Sequence, residues 1–230
     1  MNERTTLLIE KIKQQQRLLK HQLETEQSQL SDLAKRMWAQ QEAEKAKLSR
    51  ELHDGVGQIL TGLTRKLQQL TSDMPEHANL LTLSEMALAD IRSLSRLMSP
   101  SILEDLGLNS AISWLCRSMF EQETIDYECD INVDETLDPD LNIFIFRISQ
   151  EALTNIVKHA NAKHVKLFLS CHHQTLRLDI IDDGNGFEVE NTTKGIGLTS
   201  LQDRAMAFSA ELVIQSHLNK GTHISMVIPV

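Results

Sequence analysis

The chain has 230 residues, of which 41% are hydrophobic, so it can bury the core of one large domain or two small ones. Its formal net charge of −9 and its pI near 5.5 argue against direct nucleic-acid binding through a broad basic face, and equally against contact with anionic membranes. Three cysteines without CxxC spacing argue against a disulfide framework or a zinc site and fit a reducing, cytoplasmic compartment.

The first segment, residues 1–44, is predicted to form one long helix. No proline occurs between Asn2 and Thr71, and polar helix formers dominate. Apolar residues follow a heptad-like trace at Leu8, Ile12, Leu19, Leu23, Leu30, Leu33 and Met37. We expect a parallel coiled coil that makes the chain a homodimer; the alternative is a single helix, solvated or packed on its own domain. No apolar run is long enough to cross a membrane, so any anchor would have to precede residue 1.

Residues 45–100 are predicted to form a helical hairpin. The first helix continues to about Thr71, and Pro75 within "TSDMPEH" interrupts it. A second helix from about Glu76 to Leu97 carries its apolar residues on one stripe. Two such hairpins would form a dimeric four-helix bundle.

Residues 101–230 alternate between helical and strand patterns. We expect helices near 108–122, 139–159 and 198–207, and strands near 126–133, 165–171, 176–181, 211–216 and 223–228. This order predicts an α/β sandwich with helices on one face of a mixed sheet. The whole chain is therefore predicted to be multidomain.

Two motifs in this last region point to a nucleotide. Glu151, Asn155 and His159 are spaced to form one polar stripe on a helix. "DIIDDGNGFEVENTTKGIGL" then places Asp182 at a strand end, where a carboxylate can accept a hydrogen bond from an exocyclic amine such as that of adenine. The glycines of D-x-G-x-G (Gly184, Gly186) and of G-x-G-L (Gly195, Gly197) let backbone N–H groups reach phosphate oxygens, and the helix beginning at Leu198 favours an anion.

These motifs resemble those of a known protein family. Residues 140–230 resemble the ATP-binding domain of histidine kinases, in the GHKL superfamily, and residues 44–110 resemble their dimerisation and phosphoacceptor domain. The stretches "LSRELHDGVGQIL", "LEDLGLNSAI", "ISQEALTNIVKHANAKHV" and "DDGNGFEVENTTKGIGLTSLQDRA" are similar to the branch whose response regulators carry a helix-turn-helix DNA-binding domain. The resemblance implies a Bergerat-type ATP-binding fold in a cytoplasmic kinase, either free or as the cytoplasmic part of a membrane-anchored sensor.

The resemblance also implies roles for individual residues. Asn155 would coordinate the Mg²⁺ that bridges the phosphates of ATP, with Glu151 as a supporting acid. Lys158 and His159 would lie near the phosphates, although Lys158 alone is equally read as a surface lysine. Asp182 would hold the adenine amino group with Thr222 beneath the base, and Gly195 and Gly197 would border a short lid from Phe187 to Gly195.

His53 and Asp54 are adjacent on the predicted first bundle helix. A neutral imidazole is a nucleophile if a neighbouring group accepts a proton from its other nitrogen, so we assign His53 as the phosphorylated residue and Asp54 as its activating base. The family pattern H-[DE]-x-x-x-[QN] implies that Gln58 helps to dephosphorylate the partner; on a regular helix it lies about 140° round from His53. Gly55 and Gly57 weaken this helix, either to admit a docking domain or to pack against the other bundle helix.

Two other function classes fit parts of the sequence. A non-catalytic, ATP-sensing scaffold is disfavoured by the intact His53, Asp54, Asn155 and Asp182, and another GHKL-type ATPase or serine kinase would lack the histidine-bearing hairpin. The chain departs from the family pattern at "LMSP", and at Phe208–Ala210, where "FSA" stands in place of the usual Leu-Gly-Gly. The second change removes the glycines that favour a left-handed turn.

Overall fold

The amino-terminal part of the protein is helical in a computed structural model that describes residues 3–70, 75–98, 101–121, 123–133, 137–188 and 196–230. Helix α1 spans Glu3–Leu52, a π-helical turn spans His53–Gly57, and α2 spans Gln58–Gln69. Helix α3, Pro75–Met98, runs back beside them. The predicted long helix and hairpin are confirmed. None of the helices in these ranges has an apolar stretch long enough to cross a bilayer.

Buried hydroxyl groups join the two arms of the hairpin. Ser49 Oγ lies 2.8 Å from Ser95 Oγ, and Thr64 Oγ1 lies 2.6 Å from Ser84 Oγ. All four side chains are buried. Because a buried polar group costs free energy unless it is hydrogen-bonded, these pairs favour one register between the helices.

The predicted coiled-coil seam on α1 is exposed within a single chain. Its described members are between 48% and 59% exposed: Ile12, Leu19, Leu23, Leu30, Leu33 and Met37. The side chain of Leu8, the remaining member, lies outside the described part. A long helix with such an apolar row is poorly stable alone, so its pattern fits a coiled coil.

The carboxy-terminal part contains a five-stranded mixed sheet. Its strands are β1 Asp126–Asn132, β2 His164–His172, β3 Thr175–Asp182, β4 Glu211–Ser216 and β5 Thr222–Pro229. Their order is β1-β2-β3-β5-β4; β1 and β2 are parallel, and the other neighbours are antiparallel. The predicted strands and the mixed sheet are confirmed.

Three helices accompany the sheet: α4 Ser101–Phe120, α5 Pro139–Asn155 and α6 Ile196–Ala207. Alternate side chains of the central strands are buried with the apolar face of α5, which gives one core between sheet and helices. Asp138 caps α5 by accepting a hydrogen bond from Asp140 N at 2.8 Å. Helix α4 begins at Ser101 rather than near residue 108, because Gly107 (φ 73°) allows two helical pieces to meet at a kink.

Candidate functional site

A buried carboxylate lies at the end of β3. Asp182 is 5% exposed and pairs in register with Thr222 on β5. Its Oδ1 accepts a hydrogen bond from Gly184 N at 2.8 Å, and the backbone N–H and hydroxyl of Thr222 donate to the same carboxylate. Burial raises the pKa of Asp182, and these hydrogen bonds oppose the rise. The structure therefore brings together Asp182 and Thr222, which the resemblance places next to the same adenine base.

The glycines of this loop are required by backbone packing. A Cβ atom on Gly184 would overlap the carbonyl of Ala160, and one on Gly186 (φ 56°) would overlap the carbonyl of His217. Gly221 (φ 77°) lies in the same way against the carbonyl of Asp182. From the sequence alone, Gly184 and Gly186 are expected to let phosphate approach the backbone. The structure gives a different reason, since each glycine lets two chain segments come into contact.

The loop is tied directly to the end of α5. Asn185 N donates to Ala160 O at 2.7 Å, in a π-helical turn, Ile156–Ala160, that continues α5. On the last turns of α5, Asn155 Nδ2 donates to Glu151 Oε1 at 3.4 Å, and both side chains are partly buried. Asn155 and Asp182 therefore lie on neighbouring elements of one site.

The predicted stripe Glu151, Asn155 and His159 is regular only as far as Asn155. The α-helix ends there, and Lys158 and His159 lie on the wider π-helical turn with exposed side chains. Val157, on the same turn, is an apolar residue that is 36% exposed. Such turns are rare in proteins overall, but many of those that occur lie at functional sites.

The remaining predicted nucleotide residues are only partly described. Gly195 lies outside the described residues, together with most of the predicted lid from Phe187 to Gly195. Gly197 and Leu198 lie in the first turn of α6, and the side chain of Leu198 is not described. Phe187 N donates to Ser216 Oγ at 2.9 Å, which fixes the start of that segment beside β4 and β5.

His53 lies on the first π-helical turn, between α1 and α2. Its Nδ1 is 3.2 Å from Asp54 Oδ1, and the two side chains are 64% and 68% exposed. The adjacent acid and imidazole are therefore in contact and accessible. The π-helical geometry was not predicted, although two glycines within five residues are a signal of an irregular helix.

A cleft of about 240 Å³ lies beside His53. It is lined by residues of the hairpin: His53, Gly57, Gln58, Thr61, Leu88, Ile91 and Arg92. Gln58 thus shares a cleft with His53, which the 140° separation on a regular helix did not suggest. Arg92 was not predicted, because no motif distinguishes it from Arg96, the other arginine of α3.

The two glycines beside His53 have different surroundings. A Cβ on Gly57, which is buried, would lie 3.9 Å from Ile91 Cγ2 of α3, whereas a Cβ on Gly55 would meet no atom within 4 Å. Gly57 therefore packs against the other arm of the hairpin, which was the second of the two explanations, and Gly55 borders open space.

We expect Gly55→Ala to raise the free energy of unfolding by about 0.5–1 kcal/mol, because alanine is the better helix former and its methyl group meets no obstacle. Urea unfolding followed by circular dichroism measures this change. Asn79→Ala, at a helical position with an exposed side chain on α3, serves as the comparison. A lower stability of Gly55→Ala would show that the π-helical turn itself needs the glycine.

A family model described as "Histidine kinase-, DNA gyrase B-, and HSP90-like ATPase" matches residues 140–230, and one described as "Histidine kinase" matches residues 44–103. The first match includes Asp182 and Asn155, and the second includes His53.

Two curated relatives match nearly the whole chain. The sensor histidine kinase MctS of Rhizobium johnstonii is 30% identical over 224 residues, covering 91% of this chain and 48% of the relative. The signal transduction histidine-protein kinase/phosphatase UhpB of Salmonella typhimurium is 33% identical over 225 residues, covering 94% of this chain and 45% of the relative. The chain thus spans about half the length of these relatives.

A solved structure agrees at the level of the fold. The histidine kinase domain from the blue-light-activated histidine kinase of Erythrobacter litoralis EL346 superposes with a TM-score of 0.51 at 17% identity. The match covers 75% of this chain and 94% of that chain.

Proposed function

Because this chain belongs to the histidine kinase family, we propose that it is a kinase core that phosphorylates its own His53 from ATP and passes the phosphoryl group to an aspartate of a response regulator. One observation carries the proposal: the accessible His53–Asp54 pair occurs in the same chain as the buried Asp182 loop. A nucleophile with an activating base and a candidate ATP site are the two requirements of such a reaction.

The His53–Asp54 contact suits phosphoryl transfer. With Nδ1 held by Asp54 at 3.2 Å, Nε2 is left to attack the γ-phosphorus of ATP. A nitrogen–phosphorus bond forms while the bond from the γ-phosphorus to its bridging oxygen breaks, and ADP leaves with that oxygen. The Asp54 carboxylate stabilises the positive charge that develops on the ring and accepts the Nδ1 proton.

The nucleotide would be held by side chains at both ends of the site. Asp182, with Thr222 beside it, would bind the adenine amino group, because a carboxylate only accepts hydrogen bonds. Asn155 and Glu151 offer the oxygen atoms that Mg²⁺ prefers and are close enough to act together. Bound Mg²⁺ would neutralise phosphate charge. The phosphates would be surrounded by Lys158, His159 and Gly195, and by Gly197 and Leu198 in the first turn of α6.

The arrangement of the chain supports a homodimer in which each chain has three parts. We assign residues 1–44 as a signalling coiled coil, 45–100 as the dimerisation and phosphotransfer hairpin, and 101–230 as the ATP-binding domain. The exposed seam on α1 and the exposed Ile59, Leu63 and Leu83 of the hairpin would be buried between two copies. The partner is a response regulator with a helix-turn-helix output domain, which would contact DNA in place of this acidic chain. The core would work in the cytoplasm, without membrane contact of its own.

Labelled ATP tests the proposal. Incubation of the chain with γ-labelled ATP and Mg²⁺ should transfer label to the protein, whereas α-labelled ATP should transfer none. A phosphoryl group on a histidine nitrogen is lost in acid and retained in base. Label that survives acid would instead identify a serine or threonine kinase, and would contradict the assignment of His53.

We expect Gln58→Ala to retain autophosphorylation and to dephosphorylate the regulator about 10-fold more slowly, because Gln58 lines the cleft that contains His53 and its amide can orient an attacking water there. Decay of the phosphorylated regulator after mixing with each variant measures this activity. Gln69→Ala, exposed at the end of the same helix, is the control. Equal loss of both activities in Gln58→Ala would assign Gln58 to the kinase reaction.

A further inference from the structure

Two of the three cysteines of the chain lie where α4 packs on β1, the edge strand of the sheet. Two contacts fix how these elements lie against each other. Asn109 Nδ2 on α4 donates to the carbonyl of Val133 at 3.0 Å, and the ring centroids of Phe120 and Tyr127 lie 5.5 Å apart. Residues late in the helix thus meet residues early in the strand, so α4 and β1 run in opposite directions.

The same register brings Cys116 and Cys129 together. Cys116 lies four residues before Phe120, on the same face of α4, and Cys129 lies two residues after Tyr127, on the same face of β1. Four helical residues advance by about 6 Å and two strand residues by about 7 Å, so the two cysteines lie level with each other. Their thiols are in hydrogen-bond contact, and neither forms a disulfide. The pair is therefore a dithiol between helix and sheet.

The two thiols differ in their access to solvent. Cys116 is 1% exposed and belongs to the core between sheet and helices, whereas Cys129 is partly exposed. The hydrogen bond from Cys116 lowers the pKa of Cys129, against the effect of burial, and the hydroxyl of the exposed Ser113 also contacts Cys129. The same hydrogen bond, together with burial, raises the pKa of Cys116. Cys129 is therefore the thiol that ionises first, and the thiolate is the form that reacts with oxidants.

The third cysteine is too far from this pair to join it. Cys129 pairs in register with Leu167 on β2, and Cys171 lies four residues further along that strand. At about 3.3 Å per residue this is a distance of about 13 Å, whereas disulfide-bonded Cα atoms lie within about 7 Å of each other. Cys171 therefore provides an internal comparison, because it is a partly exposed cysteine of the same sheet without a neighbouring thiol among the described residues.

We propose that Cys116 and Cys129 form a redox site that peroxides convert reversibly into a disulfide. Cys129 reacts first, because it is the more accessible of the two thiols. In a reducing compartment such a bond is transient, so the site agrees with a sequence that has no structural disulfide framework. The site does not depend on the proposed kinase function.

Hydrogen peroxide is the oxidant of this reaction. The Cys129 thiolate attacks one peroxide oxygen: a sulfur–oxygen bond forms, the oxygen–oxygen bond breaks, and the second oxygen leaves as hydroxide, which takes up a proton to become water. The Cys116 sulfur then attacks the sulfenic sulfur of Cys129. A sulfur–sulfur bond forms, the sulfur–oxygen bond breaks, and the hydroxyl group leaves as water with the proton of Cys116. In sum, two thiols are oxidised to one disulfide while one peroxide is reduced to two molecules of water.

The disulfide cross-links α4 to the edge strand and closes the chain between residues 116 and 129. A cross-link between segments that are already in contact restricts the unfolded chain more than the folded one, so the oxidised protein is more stable than the reduced protein. A small thiol in excess restores both cysteines by exchange through a mixed disulfide.

Peptide mapping of the full chain tests the site. The protein is exposed to hydrogen peroxide, the remaining thiols are blocked with iodoacetamide, and the digest is analysed by mass spectrometry without reductant. We expect one cross-linked peptide pair that contains Cys116 and Cys129, an alkylated Cys171, and recovery of all three thiols after dithiothreitol. The thermal midpoint of the oxidised chain should exceed that of the reduced chain by about 5 °C or more.

Three serine variants separate the roles of the cysteines. Cys116→Ser should leave Cys129 as a sulfenic acid that dimedone traps, because no thiol is present to displace the hydroxyl group. Cys129→Ser should show neither the disulfide nor the rise in the thermal midpoint. Cys171→Ser, the matched control, should show both.

The proposal is overturned if Cys116 and Cys129 stay unlinked in peroxide, if the disulfide includes Cys171 or joins two chains on a non-reducing gel, or if oxidation lowers the thermal midpoint. Should Cys116→Ser fail to fold, the peptide map of the unaltered chain still identifies the linked cysteines and decides the question.

Discussion

Asp182→Asn is expected to lower the affinity for ATP by one to two orders of magnitude, about 1.5–3 kcal/mol. The carboxylate accepts hydrogen bonds from Gly184 and Thr222, and as an acceptor it suits the adenine amino group. An asparagine must turn its oxygen toward one donor and its NH₂ group toward another. When its oxygen keeps the hydrogen bonds from Gly184 and Thr222, its NH₂ group faces the adenine amino group, so that a donor faces a donor.

The same substitution should change the choice between purine bases. Guanine carries a carbonyl oxygen where adenine carries an amino group, so an asparagine NH₂ in this position repels ATP and can donate to GTP. Titration of both nucleotides by calorimetry measures the ratio of their dissociation constants. An unchanged ratio would place the base elsewhere.

Asp183→Asn is the control for this experiment. The Asp183 carboxylate accepts hydrogen bonds from the backbone N–H groups of His164 and Lys163, which hold the pKa of Asp183 at about 2. Because that pKa is lowered by folding, Asp183 stabilises the fold above the unfolded pKa, and the contribution is lost as the pH falls toward 2. Asp183→Asn should therefore lower the thermal midpoint near neutral pH and leave the affinity for ATP unchanged.

Folding changes the pKa of Asp182 in the opposite direction from that of Asp183. Its pKa is raised by burial, so its contribution to stability is present below the unfolded pKa and is lost as the pH rises through the folded value. Asp182→Asn is thus not expected to lower the thermal midpoint near neutral pH. Loss of ATP affinity together with unfolding would mean that Asp182 acts through the fold.

His53→Gln is expected to abolish transfer of label from γ-labelled ATP, because no other group of the hairpin is proposed to receive it. The side chain is 64% exposed and contacts Asp54, so glutamine can replace it without a change in packing. The affinity for ATP should therefore remain within about twofold of that of the unaltered chain. His21→Gln, on the exposed surface of α1, should retain full transfer. Label that persists in His53→Gln would require a different acceptor.

The order of helices and strands could be predicted because the local patterns agree with the fold. The strands from His164 to Asp182 and from Glu211 to Pro229 alternate between the buried and open faces of the sheet, and Pro139 after Asp138 marks the start of α5. The positions of Asp182 and Thr222 followed from the motifs, and the register of β3 with β5 brings them together.

The contacts that join distant segments were not predictable. Arg147 Nε donates to Glu42 Oε2 across 105 positions of the sequence, and neither residue belongs to a pattern that distinguishes it from other charged residues. The two π-helical turns were also missed, because helix propensities do not separate a wide turn from a regular one. Ser49 and Ser95 look like solvated helix positions until the hairpin brings them together.

The π-helical turn at His53–Gly57 has a geometric consequence for the whole amino-terminal half. A π-turn contains one residue more than the corresponding α-helical turn, and one residue corresponds to about 100° of helical phase. The side chains of α2 are therefore rotated by about 100° around the helix axis, compared with where they would lie if α1 and α2 were one continuous α-helix. The coiled-coil seam upstream and the hairpin interior downstream can each face their own partner. Conversion of this one turn to α-helix would rotate the coiled-coil seam relative to the hairpin, with His53 at the point where the phase changes.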